Sequence, residues 1–236
     1  MISGSLRRGS VNSAVLKTAR ALAAPPVIAH FYERLGDLPH FNPDDDREPL
    51  AEAVAHLRAE FAACDAVLFS TPEYAGALPG SFKNLLDWTV GQDNNHKPVG
   101  WINASMGGAK GTYEQLRTVL TYANADVVAD ACAEIPVPRN AIDGDGLVAG
   151  AGLRQAISSV LEALATCVAE RQRGARTRVT PLGVQARYVT GDPLDRIPNR
   201  PFSISAPFER RSACMTYSPG LTHCAAAPGD ISFTPQ

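Results

Sequence analysis

The stretches SGSLRRGSVN (residues 3–12), TPEYAGALPG (71–80) and SMGGAKG (105–111) hold the residues best suited to chemistry. In the first, Gly4 and Gly9 permit tight backbone turns, while Ser5, Ser10 and Asn12 offer short hydrogen-bonding side chains. Arg7 adds a planar fork that suits phosphate oxygens. A helix beginning just after this loop aims its free N–H groups and positive dipole end back at it. Together these describe a terminal-phosphate site, although the loop has neither the GK[ST] of a Walker motif nor GxGxxG. A serine-capped helix start beside two solvated arginines is the plainer reading of the same residues. In the second stretch, Pro72, Gly76, Pro79 and Gly80 bracket Tyr74. Stiff backbone beside an exposed aromatic suits a flat ring, and its N–H groups can meet the edges of a heterocycle. A simple strand-to-helix connection is the alternative. The third stretch brings Gly107, Gly108 and Gly111 close to something large and flat, a weak signal alone. No Ser-His-Asp set can be assembled from these loops. The histidines do not pair at metal-ligand spacing. Asp143-Gly144-Asp145-Gly146 hints at calcium but lacks the length and closing glutamate of an EF-hand loop.

The elements that must position these loops follow from periodicity. Residues 11–22 read as a helix, with Val11, Val15, Ala19 and Leu22 on one face. PPVIAHFY (25–32) reads as a strand started by prolines. Leu50, Val54, Leu57 and Phe61 recur at helical spacing. DAVLFSTP (65–72) and PVGWINAS (98–105) read as strands buried on both faces. A helix with Pro79 near its start separates them, and another carrying Leu116, Val119 and Leu120 follows. DVVADACAEIPVP (126–138) contains a further strand, and Leu153, Ile157, Val160, Leu161, Leu164 and Val168 form the stripe of a last helix. Alternating β and α units imply parallel strands with crossover helices on both faces. Ligands then bind beyond the carboxyl ends of the strands, where all three loops fall, together with the loop around RNAIDGDG. From about Arg176 to Gln236 the periodicity stops, and that segment is expected to be irregular or disordered. The expected organisation is therefore a domain over residues 1–175 and a Pro/Arg-rich tail over 176–236.

The net charge of −2 gives no electrostatic case for nucleic acid or an anionic membrane. No apolar run approaches the ~18 residues that span a bilayer, and Arg7 and Arg8 interrupt any signal core. The expected location is the cytoplasm. The five cysteines are odd in number and contain no CxxC, and three sit in apolar stretches where reduced, structural thiols are expected.

Taken together, the three loops offer a phosphate grip at one end and two backbone-rich walls around a planar group, the shape of a flavin mononucleotide (FMN) site. The order GSLRRGSVN, TPEYAGALPGSFKNLLDW, SMGGAKGTYEQLRTVL resembles the NADPH-dependent FMN reductase family, which includes flavodoxin-like quinone, chromate and azo-dye reductases. The resemblance covers roughly residues 2–169, and PEYxGxxPGxxKNxxDW is its most specific part. It implies an α/β, flavodoxin-like, doubly wound parallel sheet of five strands in the order 2-1-3-4-5. It implies Ser5, Arg7, Ser10 and Asn12 for the FMN phosphate. Pro72, Glu73, Tyr74 and Gly76 are then expected beside the isoalloxazine, with Ser105, Gly107 and Gly108 on its other edge. The family often has asparagine where this chain has Ala75. The implied activity is hydride transfer from NADPH or NADH through bound FMN to a quinone, free flavin or similar small acceptor, in a homodimer or homotetramer. A flavodoxin-like electron carrier without nicotinamide activity is the alternative, and the near-neutral charge speaks against it. Only Met1 and Ile2 precede Ser3, so the first strand is expected to be truncated, with a native start upstream or a shortened gene product.

Overall fold

The computed structural model describes residues 1–91 and 95–178. Its sheet has four parallel strands, β1 (Ile2–Ser3), β2 (Val67–Ser70), β3 (Pro98–Asn103) and β4 (Asp126–Glu134), adjacent in that order. Five α-helices connect or flank them: α1 (Val11–Leu22), α2 (Glu52–Ala63), α3 (Gly80–Trp88), α4 (Lys110–Tyr122) and α5 (Ala151–Arg178).

Every residue of β2 and β3 is buried, because helices cover both faces of the sheet. The two-residue period of a strand sorts the side chains. Val67, Phe69, Val99 and Trp101 enter a core with residues of α2, α3 and α4, including Val54, Leu57, Phe61, Phe82, Leu86 and Leu116. Leu68 and Ile102 enter the opposite core with Val15, Leu16 and Ala19 of α1 and Ile157, Val160 and Leu164 of α5. The helix over residues 11–22 matches its sequence reading at both ends.

β1 is two residues long and pairs with the end of β2, Ile2 opposite Phe69 and Ser3 opposite Ser70. Gly4 extends this contact by donating its N–H to Ser70 O at 2.9 Å. The short strand is thus seated at the carboxyl end of β2, where the first loop begins. The segment over 25–32 departs from its strand reading. It contributes one parallel bridge, Tyr32 to Ile2, in which Tyr32 N donates to Met1 O at 2.9 Å. Pro25 and Pro26 have no N–H to give a ladder, and Ile28 is 82% exposed. The tail over 176–236 lies outside the described residues from 179 onward.

Candidate active site

The first loop leaves β1 in close contact with its neighbour. A Cβ on Gly4 would stand 2.1 Å from Thr71 Oγ1, so only glycine lets the loop cross the end of β2. Ser3 Oγ accepts from Ser5 N at 3.3 Å, and Ser5 Oγ accepts from Arg7 N at 3.3 Å. Arg7 Nη2 donates to Gly9 O at 3.1 Å, and Gly9 turns the chain with φ +66°. Ser10 then occupies the N-cap of α1. It is 4% exposed, yet its side chain makes no capping bond. The N–H groups of Val11, Asn12 and Ser13 likewise find no acceptor among the described residues, since the first helical bond runs from Ala14 N to Ser10 O. An orphaned buried hydroxyl, three free amides and a helix dipole converge there, with the Arg7 guanidinium on the exposed loop beside them. That is a donor set for an anion.

The second loop is a tight two-residue turn. Tyr74 N donates to Ala77 O at 3.0 Å and Ala77 N to Tyr74 O at 3.1 Å. Ala75 and Gly76 between them both adopt positive φ, 51° and 75°. Tyr74 is left 52% exposed at the tip. Glu73 turns its carboxylate the other way, where Oε2 accepts from Thr112 N at 3.0 Å in the first turn of α4. Thr112 Oγ1 donates to Ala77 O at 2.8 Å, and a Cβ on Gly111 would lie 2.6 Å from Gly76 O. The Glu73 side chain therefore joins the second loop to the helix that follows the third.

The third loop is organised by Asn103, the buried last residue of β3. Its Oδ1 accepts from Ser105 N at 3.1 Å and its Nδ2 donates to Gly108 O. Ser105 Oγ accepts from Gly107 N at 3.1 Å. Gly108 and Ala109 follow with φ +85° and +43°, which lifts the chain over the end of the sheet and into α4.

Hydrogen bonds between loops complete the arrangement. Ser70 Oγ meets Asn12 Oδ1 at 2.9 Å, tying the first loop to β2. The Tyr113 hydroxyl reaches Ile102 O at 2.9 Å and Thr71 O at 3.2 Å, tying α4 to β2 and β3. Burial holds its phenol well above the ordinary tyrosine range, so it stays protonated. The loops bearing Ser5, Arg7, Ser10 and Asn12, then Pro72, Glu73, Tyr74 and Gly76, then Ser105, Gly107 and Gly108 are thus linked at one edge of the sheet. Sequence reasoning missed Ser70, Asn103, Thr112 and Tyr113. All four are buried, and each looks like ordinary strand or helix content until the loops are folded against it. The acidic turn over 143–147 has a local explanation, since Asp143 Oδ1 accepts from Asp145 N at 3.0 Å and Leu147 N at 2.9 Å.

A parallel α/β sheet with polar and glycine-rich loops at the strands' carboxyl ends is the architecture of flavodoxin-like proteins. The family model for NADPH-dependent FMN reductase matches residues 1–136. An NAD(P)H-dependent FMN reductase of Pseudomonas aeruginosa is 34% identical over 73% of this chain and 95% of its own. A quinone reductase of Escherichia coli is 33% identical over 53% of this chain and 70% of its own. Among solved structures, the flavoenzyme NAD(P)H:(acceptor) oxidoreductase FerB of Paracoccus denitrificans superposes with a TM-score of 0.58. It shares 27% identity and is matched over 72% of this chain and 95% of its own. The chain belongs to the NADPH-dependent FMN reductase family. Its activity is FMN-dependent oxidation of NAD(P)H.

Proposed function

We propose that the three loops form the FMN site of an enzyme that reduces quinones, free flavin or similar small acceptors. The single observation that carries this reading is the buried Ser10 hydroxyl, without a partner among the described residues, set among the free amides at the start of α1. A buried polar group without a partner costs on the order of 1–3 kcal/mol, and a phosphate oxygen would satisfy it. Ser5, Arg7, Ser10 and Asn12 hold the phosphate. The turn at Pro72, Glu73, Tyr74 and Gly76 forms one wall for the ring, with Glu73 fixing the turn on α4 rather than facing the ring. Ser105, Gly107 and Gly108 form the other edge. Bound FMN supplies the hydride-accepting and electron-donating chemistry. The chain's own residues bind and orient it, which explains a site without a nucleophile or paired carboxylates. The acceptor class rests on the quinone reductases among the relatives.

The Tyr32 bridge lies on the side of β1 opposite β2. We read it as the vestige of an outer strand, which gives the family order 2-1-3-4-5. Residues 1–175 form the reductase domain in this reading, and the chain works in the cytoplasm as a homodimer or homotetramer. Free thiols at Cys64, Cys132 and Cys167 suit a reducing compartment. No helix among the described residues is long and apolar enough to cross a membrane.

The test is turnover by FMN-loaded protein with NADPH or NADH and a benzoquinone. Acceptor-dependent NAD(P)H oxidation that scales with FMN content is expected. FMN-loaded protein that passes no electrons to quinone or free flavin would favour the electron-carrier reading instead.

A further inference from the structure

Two buried hydroxyls behind the first loop have more acceptors than protons. Ser70 Oγ is 2.9 Å from Asn12 Oδ1 and 2.8 Å from Ile102 O. Tyr113 Oη is 2.9 Å from Ile102 O and 3.2 Å from Thr71 O, and it accepts from Thr71 N at 3.3 Å. Each hydroxyl has one proton to donate. Ser70 and Thr71 are 0% and 1% exposed, so the protein itself must set the pattern. The nearest acceptor of Tyr113 is Ile102 O. A carbonyl can accept two protons, but one already supplied by Tyr113 competes less well for a second, and the Ser70 proton then goes to Asn12 Oδ1. Both protons of Asn12 Nδ2, which has no acceptor among the described residues, are then left for the loop side.

The opposite pattern uses the same heavy atoms. If Ser70 donates to Ile102 O, the Asn12 amide must turn over and donate from Nδ2 to Ser70 Oγ. Asn12 would then present an acceptor oxygen to the loop, which repels an anion. Tyr113 therefore biases, and Ser70 transmits, the sign of what Asn12 offers.

We propose that Ser70 and Tyr113 are positioning residues that hold the Asn12 amide with its donors toward the first loop, and so set the preference of the site for FMN over riboflavin. The proposal rests on the reading that Asn12 belongs to the phosphate end of the site. Tyr113 acts through the Ile102 carbonyl and through Ser70, whose side chain also bonds the Tyr113 hydroxyl directly.

The test compares FMN and riboflavin affinity, by quenching of flavin fluorescence, for the full chain and the variants Tyr113→Phe, Ser70→Ala, Asn12→Ala and Asn12→Ala/Tyr113→Phe. Riboflavin has the same ring without the phosphate, so it reports general damage to the site. Tyr113→Phe is expected to weaken FMN about tenfold, the size of a lost charge-assisted hydrogen bond, and riboflavin less than about twofold. Tyr113→Phe should have no further effect on FMN once Asn12 is alanine. If Tyr113→Phe does not fold, Ser70→Ala makes the same comparison, because it also frees the amide. Equal weakening of both flavins, or an undiminished Tyr113 effect in the Asn12→Ala background, overturns the proposal. FMN affinity unchanged by Asn12→Ala removes the phosphate-end reading as well. A weakened Asn12→Ala beside a neutral Tyr113→Phe and Ser70→Ala overturns the positioning role alone.

Discussion

Arg7 and Ala75 show how single residues divide between binding and folding. Arg7 is exposed, and its guanidinium bonds within its own loop, to Gly9 O at 3.1 Å. Arg7→Ala should weaken FMN about tenfold or more through loss of one charge-assisted bond. The thermal midpoint of the flavin-free protein should stay where it is. Titration calorimetry checks the first and a melting curve the second; an unchanged FMN affinity would take Arg7 out of the site. Ala75 sits at φ +51° in the turn of the second loop, a conformation that asparagine tolerates better than alanine. Ala75→Asn should therefore raise unfolding stability by about 0.5–1 kcal/mol, read from the urea midpoint. The types and spacing of both residues are visible in the sequence. The left-handed backbone at Ala75 is not, because nothing in the residue itself asks for it.

At the scale of elements, the start of α4 is the joint of the site. Its first turn is capped by Glu73, a residue from another loop 39 positions earlier in the chain, through Oε2 and Thr112 N at 3.0 Å. The carboxylate also sits at the positive end of the helix. Glu73→Ala should cost ~1 kcal/mol of stability, the usual value of a lost N-cap, and loosen the Tyr74–Ala77 turn. Glu73→Gln keeps an acceptor oxygen and should restore most of that loss. Urea unfolding of the two variants checks this, and equal losses would show that charge, not the cap, matters. Helices α1 and α2 were readable from apolar spacing because each buries one stripe. The segment over 25–32 reads as a strand but is not one, since only Tyr32 bridges to β1 and Ile28 stays in water. Propensity cannot reveal whether a neighbour exists on both sides of a candidate strand.

For the whole molecule, burial sets the response to alkali. The Cys132 thiol is pushed from 9.0 up to about 11 and the Tyr32 phenol from 10.0 up to about 12, in each case mainly by burial. Both groups hold their protons more tightly folded than unfolded. Between those limits the native state binds more protons, so stability falls as pH rises. It should decline from about pH 9 to 12, with Tyr113 extending the loss further. Urea midpoints measured across that range test the sign, and Cys132→Ala should reduce the lower part of the decline, to which the partly buried Cys64 thiol also contributes. A stability that rises through this window would contradict the burial of these groups.

The sequence by itself determined the alternation of strands and helices, the location of the three loops after successive strands, and the family that their motifs define. Those features are local: apolar period, glycine and proline placement, and short polar runs leave their mark in consecutive residues. Only the tertiary structure decided what holds the loops to one another. Glycine at position 4 is required by Thr71, the Glu73 carboxylate is claimed by Thr112, and the Asn12 amide is oriented from Ser70. These partners stand 67, 39 and 58 residues away in sequence, respectively. A hydrogen bond or close approach across that distance has no periodicity to read, because it exists only once the strands are side by side.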